Sequence, residues 1–283
     1  MRPPLAPALG LAAIMLTACA TRDAEATRAL QSLEAIDDAN LTQLMLDAGD
    51  PAEAVAHFRR AHEAQPDRLD LHRGLARSLV RSGRPTEGTA QWRRIVERPD
   101  ATDDDRVALA DALMRSGDWQ AAAAELDRVP PTVETFDRYR LEAMVADARQ
   151  QWDRADSFYE SAAGLTTRPA AVLNNWGFSK LKRGDAPGAE RLFAEALRHD
   201  PGLFAAMNNL AMARGAQRNY TLPLIPMDQT QRAQLLHTLA ITALRQDDIA
   251  TARSLLQEAV DTHPQHFDVA VRALRALDTE ASG

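Results

Sequence analysis

One spacing returns along this chain and limits what it can fold into. From Gly184, Ala189 stands five residues on, Phe193 nine on and Ala196 twelve on, and Pro201 follows. The same offsets from Gly49 reach Ala54, Phe58 and Ala61, then Pro66; from Asp247 they reach Ala252, Leu256 and Ala259, then Pro264. From Gly117 they give Ala122, Leu126 and Val129, then Pro130; from Gln150, Ala155, Tyr159 and Ala162; from Gly83, Gly88, Trp92 and Ile95, then Pro99. Small, large, small, proline, repeated from six markers in one phase, is the signature of like units stacked in an array.

A second apolar pattern precedes each marker: Leu71, Leu75, Ala76 and Leu79 before Gly83; Leu173, Trp176, Gly177 and Leu181 before Gly184; Leu236, Leu239, Ala240 and Ala243 before Asp247. Steps of three and four residues trace one face of a helix. Each unit therefore reads as helix, turn at the marker, helix, and a proline stop. Composition agrees: aromatic residues are only 5% of the chain and charged residues 26%, a balance that favours helices over a β-sandwich. Small residues at the eighth position of the unit (Gly177, Ala76, Ala110, Ala240) let two backbones approach, and the bulky residue at the twenty-fourth fills the space between helices.

This pattern resembles the tetratricopeptide repeat, whose period is about 34 residues. The resemblance implies an all-α fold, a right-handed superhelical solenoid of helix-turn-helix repeats closed by a C-terminal capping helix. Repeats are expected at 35–68, 69–102, 103–135, 136–169 and 170–203, with a partial one at 204–217 and a final one at 233–266. The capping helix and tail fall in 265–283, where Phe267, Val271, Leu274 and Leu277 form an apolar face. The phase breaks once. Pro223 and Pro226 exclude a helix interior, so 218–232 reads as an extended connector whose apolar residues need burial.

The N-terminus carries a different signal. Arg2 supplies a positive start, and the stretch from Leu5 to Leu16 carries no charge and is too short to span a bilayer of about 30 Å. It ends in Leu16, Thr17, Ala18 and Cys19, the only cysteine of the chain. That run resembles the lipobox of bacterial lipoproteins, in which the cysteine is acylated and becomes the mature N-terminus. The expectation is a signal peptide at 1–18, a lipidated N-terminus and tether at 19–34, and anchoring through Cys19. The alternative is an ordinary signal peptide cleaved near Ala18 or Ala20, with Cys19 incidental. In the lipoproteins that this run resembles, an aspartate after the cysteine signals inner-membrane retention. Ala20 stands there instead, which points to the periplasmic side of the outer membrane.

In the repeat family that the chain resembles, positions two, five, nine and twelve of each first helix face a groove. Here they are Asp70, Arg73, Arg77 and Val80 in one repeat, Asn174, Phe178 and Leu181 in another, and Asn208 and Met212 in the next. Asn174 and Asn208, like Asn175 and Asn209, stand one period apart and offer donor and acceptor to an extended peptide; the alternative is that they cap or bridge helices. Arg73, Arg77, Arg81 and Arg84 could take an acidic segment or a carboxyl terminus, or form a solvated face. No catalytic residues are expected, since no nucleophile elbow, phosphate loop or zinc-protease motif occurs. No metal site or cofactor is expected: His263 and His266 lack a third ligand, and Asp103, Asp104 and Asp105 read as a helix start that complements the macrodipole. A formal net charge of -7 argues against nucleic acid.

Asn-Asn-Trp-Gly-Phe-Ser-Lys-Leu-Lys-Arg-Gly-Asp at 174–185 and Asn-Asn-Leu-Ala at 208–211 resemble the TadD family, the tetratricopeptide lipoproteins of the Flp (tight adherence) pilus machine. That resemblance implies a scaffold, not an enzyme, that binds secretin or pilus assembly components, with membrane contact through the lipid anchor only and no small-molecule substrate. Two other classes stand beside it: a pilotin or barrel-assembly lipoprotein of another secretion system, and a non-catalytic docking subunit for a cell-wall enzyme.

Overall fold

A computed structural model describes Met45, Leu46 and residues 49–280. The signal peptide, Cys19, the tether and most of the first helix expected at 35–48 lie outside the described residues. Among the described residues there are 13 helices and no strand. In chain order they are α1 (Pro51–Ala64), α2 (Leu69–Arg81), α3 (Pro85–Val96), α4 (Asp103–Arg115), α5 (Trp119–Leu126), α6 (Phe136–Ala148) and α7 (Trp152–Gly164). There follow α8 (Ala170–Lys182), α9 (Ala186–His199), α10 (Phe204–Ala216), α11 (Gln229–Leu244), α12 (Ile249–Thr262) and α13 (Asp268–Glu280). They fall into two compact units, one ending at Glu125 and the other beginning at Leu126.

Backbone geometry explains the markers. Gly83, Gly117, Gln150, Gly184 and Asp247, joined by Arg218, which was not among the markers, all have positive φ, between 59° and 89°. Each closes the helix before it in the same way. Asp118 N donates to Leu113 O at 2.9 Å and Gly117 N to Met114 O at 3.0 Å; Gln151 N donates to Ala146 O and Gln150 N to Asp147 O; the other four turns repeat the pair. This is the double hydrogen bond of a Schellman cap. Glycine takes the left-handed conformation freely, whereas at Gln150, Arg218 and Asp247 it costs about 1–2 kcal/mol that the surrounding packing offsets.

Helix starts are fixed by side chains. The Asp50 carboxylate accepts from Ala52 N and Glu53 N, Asp185 from Gly188 N, and Asp248 from Thr251 N. Asp228 and Gln231 form a reciprocal capping box. That box starts α11 at Gln229, inside the segment expected to be connector and ahead of the expected repeat start at 233. The last helix covers Asp268–Glu280, inside the 265–283 given for the capping helix and tail.

The small-large-small template becomes packing. In the second unit the Phe193 ring is fully buried among Leu173, Ala189, Met207 and Leu210. A Cβ added to Gly177 would lie 2.7 Å from that ring, so α8 and α9 can approach only because the residue is glycine. In the first unit Gly74 does the same for Phe58, at 2.5 Å.

Where the second helix of a repeat is missing, the chain from Asn219 to Asp228 forms no helix and bends at Leu224 and Ile225. Tyr220, Leu222, Ile225 and Met227 pack against the core. Ile225 N donates to Pro223 O at 3.0 Å, a tight turn that leaves Leu224 fully exposed at its tip. The Tyr220 hydroxyl donates to Gln246 Oε1 at 3.3 Å, and Gln246 Nε2 donates to Gly215 O at 2.7 Å. With no intervening helix, α10 and α11 close on each other, and Thr242 sits against Gly215.

Candidate functional site

In the first unit the charged face of α2 is largely paired internally. The Arg73 guanidinium makes a two-pronged pair with Asp105 at 2.6 and 2.5 Å, one repeat further on. Asp105 is 3% exposed and also accepts from Thr102 N at 2.8 Å and the Thr102 hydroxyl at 3.1 Å. Burial pushes the Asp105 carboxyl up, but the bonds from Arg73 and Thr102 prevail and hold it below the ordinary carboxylate range. Arg73 is thus a strut between repeats. Asp70 pairs with Arg68 at 2.6 Å, Arg84 with Glu87 at 2.6 Å, and Arg81 donates to the carbonyls of Met45, Leu46 and Gly49. Arg77 is exposed and takes no part in these pairs. The four arginines therefore do not form one anion-binding cluster. The acidic run at 103–105 starts α4, as its helix-start reading has it, and adds the partner for Arg73, which that reading lacked.

In the second unit the asparagines bridge helices. Asn209 Nδ2 donates to Asn174 Oδ1 at 2.9 Å, joining α8 to α10. The Thr238 hydroxyl donates to Asn208 Oδ1 at 2.6 Å, joining α10 to α11. The pairing is crossed, 174 with 209, where the one-period spacing had set 174 beside 208. Phe178, one turn beyond Asn174, is 44% exposed. Met212, one turn beyond Asn208, is half-buried, with its sulfur 3.8 Å from Asn208 Nδ2. This face of α8 and α10 is a run of amides flanked by an exposed ring and a thioether, with no charged group among the four residues. It suits an uncharged polypeptide segment: carboxamides for backbone groups, and Phe178 and Met212 for apolar side chains.

One cluster escaped the sequence reading. Asp156 on α7 accepts from Trp176 Nε1 at 2.6 Å, Lys180 Nζ at 2.9 Å and Arg183 Nη2 at 2.5 Å, all three from α8 or its end. Its carboxyl is pushed up by burial and brought net below its ordinary value by these donors. The sequence signal was the spacing of Trp176, Lys180 and Arg183 along one helix face. With both carboxylate oxygens accepting from α8 or its end, the cluster braces α7 against α8. His263 stacks on Phe267 with centroids 4.8 Å apart, and among the described residues no three metal-binding side chains converge. No helix among them is long and apolar enough to cross a membrane.

Family models described as tetratricopeptide repeat match residues 45–98 and 233–258. No curated protein sequence matches the chain at a significant level. Among solved structures, the anaphase-promoting complex hetero-tetramer Cut9–Hcn1 is similar, with a TM-score of 0.60 and 13% identity over 83% of this chain and 48% of that one. The chain thus spans about half the length of that relative. A thermophilic tetratricopeptide protein of Thermus thermophilus gives a TM-score of 0.53 at 19% identity, covering 62% of this chain and 95% of that one. Pseudomonas aeruginosa PilF gives 0.52 at 16% identity, covering 74% and 96%. At these identities the likeness is one of fold. Both units are all-helical among the described residues, with helix pairs stacked as in proteins of the tetratricopeptide kind.

Proposed function

We propose that this chain is a lipid-anchored tetratricopeptide scaffold that binds polypeptide partners during assembly of an envelope machine, most directly the Flp pilus. It would sit on the periplasmic side of the outer membrane, held through Cys19, and its partners would be secretin or pilus assembly components. The observation that carries the reading is the Leu16-Thr17-Ala18-Cys19 run ahead of the repeats, with the only cysteine of the chain at the acylation position. The uncharged face of Asn174, Phe178, Asn208 and Met212 supports a polypeptide ligand. The exposed Leu224, held out by the turn at Pro223, favours the connector as a second contact surface.

Anchoring is tested by metabolic labelling with a fatty-acid analogue. Wild-type protein is expected to take up label and partition with membranes, and Cys19→Ser to do neither. Acyl chains contribute about 0.8 kcal/mol per buried methylene, so the loss is expected to be all-or-none. Equal labelling of the two proteins would refute the anchor and leave the scaffold without its proposed location.

A further inference from the structure

Two histidines meet face to face in the first unit. His62 of α1 stacks on His72 of α2, with ring centroids 4.3 Å apart and planes inclined by 18°. His72 is buried, and its Nε2 donates to Gln91 Oε1 of α3 at 2.9 Å. The pair therefore lies where α1, α2 and α3 come together. Among the described residues the buried Nδ1 of His62 has no hydrogen-bond partner. The rings lie parallel and do not converge on a common point, so the arrangement does not suit a shared metal ion.

Positive charges act on His72 and oppose its protonation. They come from His62 on α1, Arg94 on α3, and Arg98 in the turn after α3. Arg98 is itself fixed, by Asp100 at 2.9 Å and by the Asp67 carbonyl at 3.2 Å. A proton added to the stack would thus enter a buried site already facing two guanidinium groups.

We propose that the His62–His72 stack is an acid-responsive latch: it holds α1 against α2 and α3 while the His72 ring is neutral, and protonation of that ring loosens this junction. The sign follows from linkage. Burial is the first cause that keeps the His72 ring below its ordinary value, with the surrounding positive charges adding to it and the Gln91 bond opposing. The opened junction binds the proton more readily than the closed one. The stack's contribution is therefore complete above the ordinary histidine range and is lost as pH falls through about 6.5. The paired carboxylates of this unit, Asp70 and Asp105, are held below their ordinary value and titrate further down, outside this window.

The test is amide hydrogen exchange on the full chain at about pH 7.5 and 5.5, corrected for intrinsic rates, since that interval spans the histidine range. A histidine that stays neutral when closed and protonates freely when open raises the opening equilibrium by up to about tenfold between those values. Protection of α1, α2 and α3 is expected to fall several-fold, toward that limit. Helices α6 and α7, which contain no histidine, are the internal reference. The double variant His62→Phe, His72→Gln keeps a ring on α1 and an amide facing Gln91, and is expected to abolish the difference. His57, also on α1, is retained in it and controls for titration outside the pair. Unchanged protection in the wild type, or an equal fall in the variant, would overturn the proposal. If the variant does not fold, the ring-proton titration of His72 in the wild type decides: a midpoint below 6.5 is expected, and a midpoint at or above it refutes the latch.

Discussion

Phe193→Ala is expected to destabilise the second unit by about 3–5 kcal/mol, the upper range for truncating a buried ring. The ring is fully buried between α8, α9 and α10, and it rests on Gly177. A cavity there has little chance to refill, because glycine has no side chain to move and Leu173, Ala189, Met207 and Leu210 are already packed in the buried core. In a unit of this size the loss corresponds to a thermal midpoint lower by about 10 °C. Repeats lean only on their neighbours, so exchange protection should fall first in α8, α9 and α10. A loss under about 1 kcal/mol in thermal or denaturant unfolding would show that Phe193 is not the wedge the fold makes it.

Arg73→Ala is expected to cost about 3 kcal/mol, the low end for removing one partner of a buried pair, since the arginine is partly exposed. What remains is a carboxylate at Asp105 in a site 3% open to water, with only Thr102 to satisfy it. Arg77→Ala, one turn along the same helix, is expected to change stability by no more than about 0.5 kcal/mol. The pH dependence adds a signature. In the wild type the folded carboxyl lies below its unfolded value of 3.8, so its contribution is present above that pH and lost only as pH falls through the folded value. Without Arg73, burial dominates, the folded value rises, and acid unfolding should begin at higher pH. Equal losses for Arg73→Ala and Arg77→Ala in urea titrations would contradict the strut.

The helical class was legible because two periodicities coincide in the chain: three-and-four steps within helices and the marker every repeat. The markers located the turns at Gln150 and Asp247 even though neither residue favours the left-handed conformation; the period carried information that residue type did not. Partner choice was not legible. Reading helix faces puts Arg73 and Asn174 on a side, but the register between neighbouring helices decides whom they touch. That register set Arg73 on Asp105 and crossed Asn174 to Asn209. The start of α11 was in principle readable, since Asp228 and Gln231 are a capping-box pair just after Pro226, yet extending the repeat phase through the connector pointed to 233. Tyr220, Leu222, Ile225 and Met227 were expected to need burial and are packed on the core, whereas nothing in the sequence separated Leu224 from them.

The most direct test of the scaffold reading is photo-crosslinking in intact cells, with a benzophenone side chain placed at position 178 on the α8 face or at position 224 on the connector tip. The account predicts that position 178 yields a discrete adduct with a secretin or pilus assembly component in the membrane fraction, and that the adduct is lost when Asn174→Ala and Asn208→Ala are combined in a protein that retains its helicity. Adducts of an envelope component from position 224 alone would move the contact to the connector, and no envelope component at either position would contradict the scaffold reading.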